Sequence, residues 1–494
     1  MQTHSLKVKL KVYLNGLSMS KSEFDIYSFQ KGTITAPAGC GKTHLILGAL
    51  EKHQDEKPIL VLTHTNAGVA ALKHRIQKFE IQKRSYSITT IDGFCLKLVS
   101  TFPANSKLTK DTLNIKVPKT DYPLIRTTTQ KMLQLHFIIE IIKATYSRVI
   151  VDEYQDCTAL QHAMIKELSN HLPICVLGDP LQAIFTFGDD KPPNWNNVVC
   201  RDFPIQGELT IPWRWKNAGA EKFGVMLLEI RKKLLKNEAI DLSLLEDHVE
   251  WIQLSGANSD FALQIKAAGT NGPHRTDSVL IIGDSRNERS RYKIAGAVHG
   301  TITVEAVELK DLIGFANTFD LKDPNLTEKV ILFAGDVMTN VGAADLIKRV
   351  ATIVEGRSRK DPTKIELFAV SLFKNPSYQN VSLLLSEISA DAAVRTYRPT
   401  VLRACYRALQ ICSANPNTTL LEAALKIRDE NRVVGRQLPK RAIGSTLLLK
   451  GLEAEVAVIL DADSLDAKNF YVAMTRGSKK LVICSKASTL NKTT

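Results

Sequence analysis

Eight consecutive residues, Ala36, Pro37, Ala38, Gly39, Cys40, Gly41, Lys42 and Thr43, carry the clearest chemistry in the sequence. Glycines at 39 and 41 allow a tight turn whose backbone N–H groups aim at phosphate oxygens. The helical run THLILGALEKH that follows adds the positive end of its dipole. Lys42 would reach the β- and γ-phosphates of a nucleotide, and the Thr43 hydroxyl would ligate Mg²⁺. Ala36 stands where the pattern usually has its first glycine. ATP and Mg²⁺ are the cofactors implied. A second run, VIVDEYQD at 149–156, ends an apolar strand in two carboxylates. Asp152 suits the metal. Glu153 suits a base that orients and deprotonates an attacking water, which points to hydrolysis rather than transfer to a second substrate. A glycine-rich turn or an acidic strand end is commonplace alone; on one chain each sharpens the other.

Both runs need strands to deliver them. Short apolar, β-branched runs recur: GTITA (32–36), PILVLT (58–63), RVIVDE (148–153), PICVLGD (173–179), SVLIIGD (278–284), EVAVILD (455–461) and KLVICS (480–485). Helical stretches lie between them, so the pattern predicts an α/β fold with parallel sheets and chemistry at the carboxyl ends of the strands. Strand-like runs are sparse over 96–145 and 310–435, which read as largely helical insertions. The 494 residues leave room for several cores at about 150 residues per domain. With 44% hydrophobic and 23% charged residues, a collagen, a coiled-coil rod and a wholly disordered chain are excluded. No run of about 18 apolar residues is present, so no membrane partner is expected. MQTHSLKVKLKVYLNG lacks the apolar core of a secretory signal. Eight scattered cysteines without a CxxC argue against zinc or an iron–sulfur cluster and for reduced thiols in a cytoplasm. The net charge of +14 is uneven: 96–148 holds nine Lys/Arg against three Asp/Glu, and 394–441 ten against three. Such blocks fit a phosphate-backbone ligand or a solvated face.

AGCGKT and DEYQD together resemble the superfamily-one DNA helicases of the UvrD/Rep/PcrA type, and further runs follow in that family's order between 36 and 476. The resemblance implies two RecA-like P-loop domains with parallel sheets, each carrying a mainly helical insertion. The first would span 1–95 and 146–205 with a short basic insertion at 96–145. The second would span 206–315 and 431–494 with a helical insertion at 316–430. In LTHTNAGVAALKHRI (62–76) it implies DNA contacts by Thr63, His64, Thr65 and Asn66, with His64 in place of the family's aromatic. In ITTIDGFCLKL (88–98) Asp92 replaces the family's usual His. VLGDPLQAIFTF (176–187) resembles the coupling motif. There Asp179 and Gln182 would sense the γ-phosphate and the attacking water. Phe185 and Phe187 would stack on bases, at about 1–3 kcal/mol per base, or pack in a core. LTIPWRWKN (209–217) places Arg214 on the γ-phosphate from the second domain, Trp213 on adenine, and Trp215 in packing. Arg286 and Arg291, in SVLIIGDSRNERSRYKI, are contact candidates or solvated cations. In STLLLKGLEAEVAVI (445–459) Gly451 would allow close backbone approach and Glu453 would bind ribose or couple ATP to the strand; Leu447 replaces the family's His. FYVAMTRGSKKLVI (470–483) supplies Arg476 as an arginine finger, a group that typically contributes about 10³–10⁵ in rate. The family's adenine-reading LN-x-x-Q is incomplete: Asn15 in YLNG has no Gln three residues on, and Gln30 lies too near the loop.

The implied activity is an ATP-driven motor moving 3′→5′ on single-stranded or partly duplex DNA, with both domains gripping the nucleotide. Short insertions and the lack of an appended nuclease signature resemble compact antiphage helicases such as the Gabija subunit, whose partner is an OLD-family nuclease; repair fits the same motifs. The altered His64, Asp92 and Leu447 suit a second reading, a nucleotide- and DNA-gated ATPase subunit that controls a partner nuclease and unwinds little. A small-molecule kinase would share the phosphate loop but leave GDPLQ, KGLE and VAMTR unexplained.

Overall fold

The computed structural model describes residues 23–185, 190–245, 247–257, 259–431 and 439–493. The chain forms two compact units, one ending at Lys232 and the other starting at Lys233. The first is built on β1 (Lys31–Thr35), β2 (Ile59–Thr63), β3 (Tyr86–Thr90), β4 (Arg148–Val151), β5 (Ile174–Gly178) and β6 (Ile205–Glu208). They form one parallel sheet in the order β3-β2-β4-β5-β1-β6. Every residue of β2, β4 and β5 is buried, as continuous Val/Ile/Leu runs covered on both faces should be. Ile34, Val61, Ile150 and Cys175 pack on one face with the helix Lys42–Glu51; Leu60, Leu62, Val149 and Val176 pack on the other with the helix Ala159–Leu168.

Between β3 and β4 the chain is helical, with Ile91–Thr101, Pro118–Met132 and His136–Thr145 as its longer members. Asp92 does not face outward from this segment. It takes a bidentate pair from Arg126 at 2.7 and 2.8 Å and a bond from Gln161 at 3.2 Å, tying the insertion to the helix that follows the acidic motif.

β7 (Ile240–Asp241) and β16 (Thr489–Leu490) form a small antiparallel pair in the second unit. Its main sheet uses β8 (Val249–Gln253), β9 (Val279–Ile282), β10 (Thr301–Thr303), β13 (Arg441–Gly444), β14 (Ala454–Ile459) and β15 (Gly477–Ser485). These are again all parallel, in the order β10-β13-β9-β14-β15-β8. Helices between Lys310 and Asn431 build a separate apolar core around Leu312, Val330, Ala369, Leu384 and Ala408, interrupted only by the short pair β11 (Met338–Thr339) and β12 (Arg395–Thr396) among the described residues. The α/β class with two parallel sheets is therefore as the strand runs predict.

A division at 205/206 does not follow the sheets. β6 pairs with β1, Thr33 opposite Ile205 and Thr35 opposite Glu208, and the first unit continues to Lys232. The N-terminal segment helps to hold this edge. The Phe24 ring covers Gly207, and the Glu23 carboxylate accepts the N–H groups of Thr210 and Ile211. Residues 24–29 thus pack against the sheet, and the Gln30 carbonyl accepts the Ile174 N–H; Asn15 lies outside the described residues. No described helix is long and apolar enough to cross a membrane.

Candidate active site

β1 ends at Thr35 and the phosphate loop begins there, anchored by Ala36 N–H donating to Gly178 O at 2.8 Å. Gly39 and Gly41 have φ of +73° and +91°, a region that costs a side-chain-bearing residue about 1–2 kcal/mol. Both glycines are also needed for space: a Cβ on Gly39 would fall 2.5 Å from the Trp215 ring, and one on Gly41 2.8 Å from Trp213. Cys40 closes the turn with N–H to Pro37 O at 3.1 Å, and burial pushes its thiol up to about 12, so it stays protonated. Gly41 is the N-cap of the helix Lys42–Glu51. The helix presents its unpaired first-turn N–H groups to the loop, which is what an anionic ligand uses.

β4 delivers the acids beside this helix. Lys42 Nζ pairs with Asp152 Oδ1 at 3.0 Å and donates to Glu153 Oε1. Burial alone would lower the Lys42 pKa, but the two carboxylates outweigh it and hold the ammonium above the ordinary lysine value. Burial pushes Asp152 the other way, up from the carboxylate range, against the pull of Lys42. Glu153 adopts φ +55°, a strained backbone for a non-glycine residue, and its N–H is held by Asp152 Oδ1 at 3.0 Å. Its other oxygen, Oε2, accepts from Gln155 Nε2 at 2.5 Å.

Thr43 Oγ1 accepts a bond from Arg75 Nη1 at 2.8 Å. No group of three or more His, Cys, Asp or Glu in the described residues could hold a metal. A hydroxyl and a carboxylate, Thr43 and Asp152, are a donor set that suits Mg²⁺, which keeps water and substrate phosphates as its remaining ligands.

Asp179 and Gln182 leave the end of β5. Both are buried, and Gln182 Nε2 donates to Asp179 Oδ2 at 3.3 Å. Gln155 Oε1 accepts the Asp179 N–H at 3.1 Å, so one side chain joins the acidic motif to the coupling motif. Arg214 and Trp213 belong to the first unit, not the second. The segment 211–217 lies directly on the phosphate loop, with Arg214 N–H donating to Gly39 O at 3.0 Å and Trp215, 1% exposed, wedged against Gly39 and Gly224. The physical cause is the buried Trp215 ring, which anchors the segment there. The Arg214 guanidinium lies 5.3 Å from the Trp215 ring centre, and Trp213 sits between His44 and Lys216.

The DNA-contact candidates gather at the end of β2. Thr63 is buried beneath Gly68, and Thr65 caps the helix Asn66–Lys78 by accepting the Gly68 N–H at 3.0 Å. Asn66 is exposed, and the His64 and Phe185 rings lie 6.0 Å apart, so two candidates from different motifs share one surface. Phe187 lies outside the described residues.

In the second unit Glu453 is exposed and Gly451, at φ +80°, has open space around it. Arg476 is buried, donating to Val472 O at 2.8 Å, Leu452 O at 3.1 Å and Thr475 Oγ1 at 3.1 Å. Arg286 is exposed, whereas Arg291 is buried and donates to Asp284 O, a structural use. Sequence reasoning missed Gln155, Arg75 and Arg231. Arg231 was detectable, because it interrupts the apolar stripe of EKFGVMLLEIRKKLL.

Residues 27–188, which hold the phosphate loop, the acidic motif and the coupling motif, match the family model described as AAA domain. Over 194 residues the chain is 24% identical to an ATP-dependent helicase/nuclease subunit from Oenococcus oeni, covering 38% of this chain and 15% of that protein. Among solved structures, the arterivirus nonstructural protein 10 helicase in complex with DNA is similar at 10% identity and a TM-score of 0.30, covering 92% of this chain and 60% of that one. The PRRSV helicase is similar at 10% identity and a TM-score of 0.28, covering 93% and 54%. The family match lies within the first unit, and the chain spans 15% of the length of the curated relative it matches.

Proposed function

We propose that the chain is an ATP-dependent DNA translocase and helicase of the UvrD type, moving 3′→5′ on single-stranded or partly duplex DNA. The observation that carries this reading is the cluster of Lys42, Asp152 and Glu153 under the phosphate loop, joined through Gln155 to Asp179 and Gln182. Lys42 binds the β- and γ-phosphate oxygens, and the loop N–H groups cradle the rest of the chain of phosphates. Mg²⁺ held by Thr43 and Asp152 would neutralise charge on those oxygens. Glu153 orients the attacking water and takes its proton, while Gln182 holds the water from the opposite side. Trp213 stacks on adenine, Arg214 contacts the γ-phosphate, and Glu453 and Arg476 keep the roles that the resemblance gives them. His64, Thr65, Asn66 and Phe185 contact the DNA, whereas Thr63, buried beneath Gly68, supports that surface from below. The setting is the cytoplasm, in antiviral defence beside an OLD-family nuclease subunit or in DNA repair.

The test is ATP hydrolysis with and without single-stranded DNA, comparing wild type with Lys42→Ala and Glu153→Gln. Strong stimulation by DNA, lost in both variants, supports the motor. Hydrolysis indifferent to DNA refutes it. A second reading, a regulatory ATPase that gates a partner nuclease, is favoured by one contact: Asp92 is spent on Arg126 where the family has a strand-touching His. DNA unwinding by the isolated chain separates the two.

A further inference from the structure

A polar line leaves the ATP site and ends on two residues, Arg231 and Glu208, that have no role so far. From Glu153 it passes to Gln155, and from Gln155 to the backbone of Asp179. Asp179 Oδ1 then accepts two bonds from Arg231, Nη2 at 3.0 Å and Nε at 3.3 Å. Arg231 Nη1 reaches Glu208 Oε1 on β6 at 2.6 Å. The Asp179 and Arg231 side chains are 0% and 3% exposed. Arg231 sits on the helix Glu221–Leu235, whose Phe223, Leu227, Ile230 and Leu234 are buried, and this helix carries the chain across Lys232 into the second unit.

Stability alone does not explain a charge here, because an apolar residue on that stripe would avoid the desolvation of a buried ion pair. What a guanidinium adds is direction. Its planar fork fixes the Asp179 carboxylate, whose other oxygen accepts from Gln182, while the backbone N–H of the same residue donates to Gln155. We propose that Arg231 is a positioning residue for hydrolysis: it sets Gln182 and, through Gln155, Glu153, and it ties their alignment to the helix leading into the second unit. This rests on the ATPase reading above, which gives Glu153 the water.

The experiment measures steady-state ATP hydrolysis by the full chain, with and without a single-stranded oligonucleotide, for wild type, Arg231→Lys and Glu208→Ala, with melting temperatures alongside. Lysine cannot fork to Asp179 and Glu208 together. Glu208 is 46% exposed, so its removal leaves Asp179 paired and the fold intact. Arg231→Lys is expected to lower kcat by about tenfold or more with KM for ATP nearly unchanged, since small displacements of aligned groups are costly. Glu208→Ala should lower kcat in the same direction by less, with a wild-type melting temperature. Unchanged kcat in both variants, or a loss confined to KM, overturns the proposal; if Arg231→Lys does not fold, Glu208→Ala decides alone. A wild type indifferent to DNA refutes the motor while a kcat loss in the variants still upholds Arg231. A stimulated wild type with unaffected variants does the reverse, and a wild type without any hydrolysis overturns both.

Discussion

Lys42 is expected to hold the site together as well as to bind phosphate, and Lys42→Met tests that. The Lys42 side chain is 15% exposed, that of Asp152 15% and that of Glu153 34%. Methionine keeps the length of the stem and removes the charge, leaving two carboxylates side by side with no cation. Breaking a buried pair from one side costs about 3–5 kcal/mol. Glu153 is a third exposed, so solvent screens part of its share and about 3 kcal/mol is the better figure. For a unit of this size each kcal/mol moves the melting temperature by about 2–4 °C, giving a loss of about 6–12 °C.

Four proteins, wild type, Lys42→Met, Asp152→Asn and the double variant, are melted without added nucleotide, in EDTA and then in millimolar Mg²⁺. Asp152→Asn in the Lys42→Met background should restore about half the loss, about 1.5 kcal/mol, because it removes one of the two stranded charges; the coupling exceeds that figure by whatever Asp152→Asn costs alone. Mg²⁺ should raise Lys42→Met more than wild type, since it takes over the ammonium's place beside the acids. The raised Lys42 pKa sets the pH window. Its contribution is complete below the unfolded lysine value and is lost only as pH rises through the higher folded value, so the Lys42→Met deficit should be constant between about pH 7 and 9. Additive losses in the double variant, with no extra response to Mg²⁺, would refute the reasoning.

Three further outcomes are expected. Glu153→Gln should reduce kcat by about 10²–10⁴ while a fluorescent ATP analogue binds within a few-fold of wild type, because the amide keeps the shape and loses the base. Asp92→Asn should break the bidentate pair with Arg126, destabilise by about 2–3 kcal/mol, and expose 103–117 to earlier cleavage in limited proteolysis; an unchanged digestion pattern would show that the pair does not anchor the insertion. His162 receives the Tyr154 hydroxyl at 2.8 Å and faces Asp202 at 3.1 Å, and burial lowers its pKa despite that carboxylate. Its neutral form is therefore favoured in the fold, and stability should fall as pH drops below about 6.5, where the unfolded chain takes up the proton first. His162→Gln should flatten that part of a melting-temperature profile.

All seven apolar runs in the sequence are strands, and six of the seven carry three or four buried Val, Ile or Leu, GTITA having only Ile34. Three strands that the sequence does not announce share a cause. β6 is IQGE at an exposed edge, β3 is a half-buried YSITT, and β8 is VEWIQ at the other sheet's edge. An edge strand buries one side only, so its pattern is diluted by polar residues. β10 and β13 have three and four residues, too few to show a period. The site divides in the same way. Lys42, Thr43, Asp152 and Glu153 were legible because a glycine turn and an acidic strand end are local chemistry. The unit to which Arg214 belongs was not, because it depends on the ring of Trp215 lying against Gly39, a contact between positions far apart in the chain. Asp92 shows the limit of carrying a role across a resemblance: its partner, Arg126, lies on a separate helix and alters what the position can do.

The cations around the phosphate loop come from elements with different jobs. Lys42 belongs to the helix after the loop, and Arg75, on Thr43, belongs to the helix that begins at Asn66, immediately after His64 and Thr65. If Thr43 held Mg²⁺ and a nucleotide phosphate, its hydroxyl could no longer serve Arg75 as it does here, and the Arg75 guanidinium would turn toward the anion or withdraw. Arg75 lies near the last turn of a continuous helix whose first turn carries the DNA-contact candidates, so a rigid body links the two places. Glu153 has the same kind of double attachment, to Lys42 on one oxygen and to Gln155 on the other. A phosphate that drew Lys42 away would leave the Glu153 bond to Gln155 in place, and Gln155 is joined to Asp179, which Arg231 holds. On the proposed ATPase reading, this wiring would make the alignment of Glu153 depend on the coupling motif at the moment when nucleotide is bound, which is when a motor would need its hydrolysis to be conditional.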